Sequence, residues 1–406
     1  MADAPAIDAG RVIADLRELD RRTGGPEGAR RLCWGPEWRE ARAFLSELLD
    51  ELGLAAEHDE AGNLWAHLAG ESEPALALGS HLDSVPNGGW LDGALGVMAA
   101  FGVLRAWSQA GLPPPRSLAL VDWADEEGAR FGRSLFGSSA VAGNLDPKEL
   151  ERSRDGDGRA SAEVLAENGV DLEEAPSAAS RRKRIAAYLE LHIEQGPVLE
   201  AEGARLAAVD GCVGIERHRL GFAGQASHAG TTPMERRRDA ALAAADAALR
   251  IERIAVETGG VATTGSLHLR PGIPTAVAGW AELVVDFRHP DGASLARMLD
   301  LVLEEAAAAA SARRCELASE LLWEIEPTRF QLAGLAAEVA DGRRLTSGAL
   351  HDAAEIARVR PAGMLFVPSI GGISHAKEED TAEGDLVAGI EAFADLASRA
   401  MRRLSD

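Results

Sequence analysis

The sequence predicts an α/β protein whose main domain has a mainly parallel central sheet, interrupted by a smaller inserted α+β domain. Three observations carry this reading. Strand and helix patterns alternate from about residue 39 to 128, as a parallel sheet requires. Between about 213 and 329 the texture becomes strand, helix, strand, strand, helix, which suits a small α+β sandwich of ferredoxin-like type. From about residue 330 the α/β texture returns. At 406 residues the chain is also longer than one hydrophobic core usually serves. The expected domains are therefore 1–212 joined with 330–406, and an inserted 213–329.

The elements follow in order. "REARAFLSELLDELGLA" (39–55) carries apolar residues at helical spacing and stops at a glycine. "NLWAHL" (63–68) and "ALALGSHL" (75–82) read as strands. "GVMAAFGVLRAWSQAG" (96–111) reads as a helix, and "SLALVDWADEEG" (117–128) as an apolar strand running into acidic residues. Residues 142–186 are polar and suit an insertion with short helices. "AAYLELHIEQG" (186–196) resumes the apolar strand pattern. "IERHRLGFAGQ" (215–225) alternates like an exposed edge strand, followed by a long helix at 239–259. "TTGSLHL" and "AELVVDFRHP" are further strands, and 295–312 is a second helix.

Composition narrows the function classes. The net charge of -23 argues against nucleic-acid binding, which wants a basic face. The one dense basic run, "RRKR" at 181–184, reads as a solvated surface segment. No apolar run is long enough to span a bilayer. "MADAPAIDAG" has neither a basic start nor a hydrophobic core, so no signal peptide is expected. Cys33, Cys212 and Cys315 lack CxxC spacing and read as free buried thiols of a reducing compartment. The expectation is a cytoplasmic, acidic protein.

Five segments bring metal-ligand residue types to the ends of strands: "HLD" (81–83), Asp92, "DEEG" (125–128), "LHIEQG" (191–196) and "GGISHAKEED" (371–380). In parallel sheets, sites gather where strands end and loops begin. Nitrogen and carboxylate donors without thiolates suit Zn²⁺, Mn²⁺ or Co²⁺. Period-two alternation would place His81 and Asp83 on one strand face, where Asp83 can accept the free ring N–H of His81. Glu126 and Glu127 are adjacent and cannot share a face. One can bind a cation while its neighbour serves as general base, the division of labour that metal-assisted hydrolysis needs. Any one such segment is more often structural; five with the same logic are not explained that way. His58, His67, His218, His268 and His289 lack such company and read as structural.

The stretches "GSHLDSVPNGGWLDGALGV", "DEEGARFGRSLFGS", "LELHIEQGPVLE", "GQASHAGTTPMERRRDA", "VDFRHPD", "HDAAEIA" and "SIGGISHAKEEDT" fall in order within about residues 60 to 381. With them the chain resembles the hydantoinase/carbamoylase family of di-metal amidohydrolases, relatives of the metal-dependent aminoacylases and exopeptidases. The family includes N-carbamoyl-L-amino-acid hydrolases, β-ureidopropionases and allantoate amidohydrolases. The resemblance implies a metallopeptidase-like catalytic domain and an inserted dimerisation domain in a homodimer. It implies two divalent metal ions per subunit. One would be held by His81, Asp92 and His192, the other by Asp92, Glu127 and His375. Glu126 would be the base and Asp83 would orient His81. His228 would reach an active site across the dimer, Arg288 would clamp a substrate carboxylate, and Gln195 would contact the ureido group.

One departure stands out. Where the family usually has Pro-Asn-Ala-x-Asn, this chain reads "PGIPT" (271–275), so Thr275 replaces a usual substrate-contacting Asn. A hydroxyl is shorter than an amide and offers fewer donors. The expected reaction is hydrolysis of a carbamoyl-type C–N bond beside a carboxylate, giving an amino acid, CO₂ and ammonia. The alternatives are aminoacylase-type cleavage of an N-acyl amino acid and a catalytically silent metal-containing binding protein.

Overall fold

The computed structural model describes residues 4–404; the first three residues of the N-terminal stretch read for a leader lie outside them. The chain divides into two units, one running to Gly211 and resuming at Arg329, the other Cys212–Thr328.

In the larger unit, the strands Ala362–Val367, Ile185–Ile193, Ala75–His81 and Leu118–Trp123 lie side by side in that order and run parallel. Antiparallel strands flank them: Ala207–Cys212 beside Ala362–Val367, and Leu64–Leu68 beside Leu118–Trp123. The four inner strands are almost wholly buried, which is why they read as continuous apolar runs and not as alternating ones. The helix Ala94–Ala110 is apolar nearly all round and buried over most of its length, so it lies inside the unit. Apolar residues of the helices Ala9–Thr23, Pro36–Glu51 and Glu383–Arg403 join it in one core. The polar stretch after residue 142 forms short helical pieces, including Ser161–Glu167 and a 3₁₀ stretch Ala175–Arg184 that ends in the basic run.

The pairing register brings the carboxyl ends of the parallel strands level. His81, the last residue of its strand, pairs with Trp123, and Phe366 pairs with His192. This is the end of an open α/β sheet at which sites form.

The smaller unit has a four-stranded antiparallel sheet ordered Val261–Arg270, Trp280–His289, Gly214–Ala223, Glu316–Ile325. Ala281, Leu283, Val285 and Phe287 point from one face into a core shared with the helices Ala240–Thr258 and Gly292–Ala312. The strand expected at an edge, Gly214–Ala223, is central and paired on both sides. Its charged residues mislead: Arg217 and Arg219 face the open side of the sheet, where Asp286 and Glu320 pair with them. The true edges are Val261–Arg270 and Glu316–Ile325. No helix among the described residues is long and apolar enough to cross a membrane.

Candidate metal centre

Asp92 stands at the middle of the site. It precedes Gly93, whose φ of 65° and ψ of -47° belong to a region that only glycine enters readily. Ala94 N–H donates to the Asp92 carbonyl at 2.7 Å, closing a γ-turn on Gly93. A Cβ on Gly93 would lie 2.4 Å from the His81 ring. The turn thus delivers Asp92 against His81 at the start of the buried helix. Gly89 has a parallel role: a Cβ there would collide with the Glu379 carboxylate. Glu379 accepts from the backbone N–H groups of Asp92 (3.0 Å) and Leu91 (3.3 Å) and so fixes the loop.

Asp92 Oδ1 lies 3.8 Å from His81 Nε2 and 3.1 Å from His192 Nε2; its Oδ2 lies 3.3 Å from His375 Nε2. His375 Nε2 is also 3.4 Å from Glu127 Oε2. Two groups of donor atoms result, His81–Asp92–His192 and Asp92–Glu127–His375, and they share Asp92. The buried imidazoles are oriented from behind. His81 Nδ1 bonds the Asp83 carbonyl at 3.0 Å, and His192 Nδ1 bonds the Ile193 carbonyl at 2.9 Å. Each therefore turns its Nε2 toward Asp92, the outer-sphere arrangement of metal-ligating histidines. His192 Nε2 is buried and, despite its nearness to Asp92, makes no aligned hydrogen bond. A ring nitrogen and a carboxylate oxygen turned to a common point in this way fit a cation, which would replace the proton between them.

The role given to the Asp83 side chain is corrected. The strand ends at His81, so alternation does not carry on to Asp83. Its carboxylate is 3.6 Å from His81 Nδ1, and the backbone carbonyl is the acceptor instead. The carboxylate accepts from the backbone N–H groups of Glu126 (3.3 Å) and Glu127 (3.2 Å). Asp83 thus orients His81 through its main chain and the glutamate pair through its side chain. Glu126 is buried, with Oε2 at 3.7 Å from His81 Nε2.

Electrostatics show how crowded this cluster is. Burial holds the Glu126 carboxyl well above the usual range, helped by the carboxylates of Asp352, Glu127, Asp83 and Asp92. Burial and Asp92 push Glu127 up to about 8. Burial lowers His81 to about 4. Burial also opposes charge on His192, but Asp92 lifts it to about 9, and Asp92 likewise lifts His375 to about 9. Glu127, His192 and His375 thus hold protons that divalent cations would displace.

Gln195 joins the site from a left-handed turn (φ 58°), its side-chain amide donating to Asp92 Oδ2 at 2.9 Å. Residues not singled out from sequence also belong. Glu379 and Ser374 bond each other and the Asp92 segment. His351 packs edge-to-face against His192, with ring centres 4.5 Å apart and the planes at 64°. "HDAAEIA" and "SHAKEED" were visible as motifs, but periodicity says nothing about backbone bonding within loops.

His228, Thr275 and Arg288 lie in the smaller unit. His228 pairs with Ala276 beside Thr275, and its Nδ1 accepts from the Gly230 and Thr231 N–H groups. Arg288 sits toward the far end of the Trp280–His289 strand, eight residues or about 27 Å from Trp280. Its Nε donates to Asp286 at 2.7 Å. Within this unit His228 and Thr275 come together and Arg288 does not join them.

A family model described as peptidase family M20/M25/M40 matches residues 77–399. The chain belongs to that family. Within the M20 family, it is similar to N-carbamoyl-L-amino acid amidohydrolase of Geobacillus stearothermophilus, 37% identical over 389 residues, covering 93% of this chain and 94% of that one. It is 33% identical over 378 residues to allantoate amidohydrolase of Escherichia coli (strain K12), covering 90% and 92%. The crystal structure of a hydantoinase/carbamoylase family amidase from Burkholderia multivorans superposes with a TM-score of 0.88 at 31% identity, covering both chains fully. The chain is thus an M20 protein of the hydantoinase/carbamoylase kind.

Proposed function

We propose that this protein is a binuclear metal-dependent amidohydrolase that cleaves the carbamoyl C–N bond of an N-carbamoyl amino acid or related ureido acid. The observation that carries the reading is the pair of donor groups sharing Asp92, with Glu126 beside them and outside both. The relatives' names point to ureido substrates.

His81, Asp92 and His192 would hold one ion, and Asp92, Glu127 and His375 the other. Their nitrogen and oxygen donors suit Zn²⁺, Mn²⁺ or Co²⁺. When bound, the ions supply Lewis acidity and bring the pKa of water toward neutrality. Glu126 accepts the proton of the attacking water and returns it to the leaving nitrogen. Asp83 fixes the main chain of Glu126, and so the reach of its carboxylate. Cleavage releases the amino acid and carbamate, which decomposes to CO₂ and ammonia. Arg288 pairs with the substrate carboxylate through its guanidinium fork. His228, reaching the site of the other copy across the dimer, donates to the developing oxyanion. Gln195 contacts the ureido group, and Thr275, standing where the family has a substrate-contacting Asn, shifts the substrate range.

We also place the enzyme in the cytoplasm as a homodimer formed through the smaller unit. The edge strand Val261–Arg270 supports the dimer. It is exposed on both faces, and Val261, Leu267 and Leu269 are 59%, 46% and 39% exposed. An unpaired apolar edge invites a second copy.

The test is a metal analysis joined to an ammonia-release screen over N-carbamoyl amino acids, β-ureidopropionate, allantoate and N-acetyl amino acids. Ammonia from a ureido acid is the expected result. Turnover of N-acetyl substrates without ammonia would make it an aminoacylase. Metal binding without any turnover would make it a silent binding protein.

A further inference from the structure

We propose that Arg31 is a positioning residue of the metal centre, acting on the Asp83 segment from behind. This rests on the two-cation reading above. Arg31 is fully buried, unusual for an arginine. Its Nε donates to the Leu82 carbonyl at 2.7 Å. Its main-chain N–H donates to Ser84 Oγ at 3.1 Å, and its carbonyl accepts from Ser84 N–H at 3.0 Å. These three bonds grip the chain on both sides of Asp83. Asp83 in turn holds His81 through its carbonyl and the Glu126 and Glu127 amides through its carboxylate. The Arg31 side chain therefore anchors this segment at Leu82 and its main chain anchors it at Ser84, and the segment between sets a ligand, the proposed base and a second ligand.

The guanidinium is kept at a cost. Nη1 and Nη2 are buried and bonded to no described residue. A buried charge left out of an ion pair is costly, so the fold keeps it against its own stability. Without the side chain, the Leu82 carbonyl loses its donor and the Asp83 segment is held from one side only, which loosens the donor geometry. A lysine can reach for the same carbonyl but lacks the planar Nε donor and its fixed direction. Arg31 touches neither substrate nor cations, so its effect must pass through the Asp83 segment.

The experiment titrates metal-free protein with Co²⁺ and follows its visible absorption, which reports coordination geometry without turnover. Wild type, Arg31→Met, Arg31→Lys and Ser84→Ala are compared, with kcat and KM measured at saturating Co²⁺. Wild type should bind two ions. Arg31→Met should bind Co²⁺ about 10–100-fold more weakly, with an altered spectrum and a fall in kcat larger than any change in KM. Arg31→Lys should recover part of the affinity. If Arg31→Met does not fold, a loss of Co²⁺ affinity in Arg31→Lys or Ser84→Ala supports the inference, and wild-type behaviour in both overturns it. A folded Arg31→Met with a lowered melting temperature but wild-type Co²⁺ affinity, spectrum and kcat also overturns it, leaving Arg31 a packing residue. Failure of wild type to bind Co²⁺ would strike the two-cation reading itself, which distinguishes the two failures.

Discussion

Replacing Gly93 with alanine should empty the centre while leaving the protein folded. The added methyl meets the His81 ring at Cε1 and Nδ1 and the His81 carbonyl, each at 2.4 Å. His81 cannot step back, because it is 2% exposed and its Nδ1 is tied to the Asp83 carbonyl. The backbone adds its own penalty, since φ 65° with ψ -47° lies outside the left-handed helical region and a non-glycine residue held in so sparsely populated a region costs about 1–3 kcal/mol. Overpacking a closed site costs about 1–3 kcal/mol. The sum, about 2–6 kcal/mol, lies toward or below the low end of the usual stability of about 5–15 kcal/mol. The cheapest relief is to part Asp92 from His81, so the penalty falls on the cations. At about 1.4 kcal/mol per factor of ten, binding should weaken from about 30-fold to about ten-thousand-fold. The assay is metal content by mass spectrometry after dialysis, with melting temperature and ammonia release alongside. A variant that keeps two ions and wild-type kcat would refute the claim that the γ-turn sets the Asp92–His81 approach.

Four further outcomes are expected. Glu126→Gln should retain its metal and lose about 10²–10⁴-fold in kcat, since a general base and not a ligand is removed; wild-type kcat would exclude Glu126 as base. Asp92→Ala should lose both ions together, and metal analysis finding two still bound would show that the groups do not share it. Leu267→Asp, placing a charge on the exposed edge of the smaller unit, should yield monomer by light scattering, whereas an unchanged dimer would move the interface elsewhere. Arg288→Ala should depress kcat/KM for a ureido acid and spare its uncharged amide analogue, and equal losses on both would assign Arg288 to the fold.

The sequence carried the inner sheet because its strands are buried on both faces, and continuous apolar runs are hard to mistake. It carried the cluster because ligand-type residues at five strand ends have no common packing explanation. Other features depend on where an element stops or on which side a neighbour lies. The Ala75–His81 strand stops two residues short of Asp83, so alternation does not place it, and its carboxylate turned out to hold amides and not an imidazole. Arg217 and Arg219 made a central strand look like an edge, because the acids that neutralise them lie far away in sequence, at Asp286 and Glu320. Glu379 and Arg31 act mainly on backbone groups, and a backbone amide leaves no mark in a residue pattern.

The two donor groups differ in their access to water. The His81 and His192 side chains are 2% and 1% exposed, whereas His375 is 50% exposed. An ion leaving the His375 side needs only one imidazole to swing outward, while an ion between His81 and His192 must wait for a buried wall to open. The pair should therefore exchange at two rates. A chelator should strip the enzyme in stages and hold it for a time as a half-loaded species. A second, different metal added at that stage would enter the outer position alone. Such a mixed-metal enzyme would allow each position to be given its own spectroscopic reporter, and the work of each ion in turnover to be measured separately.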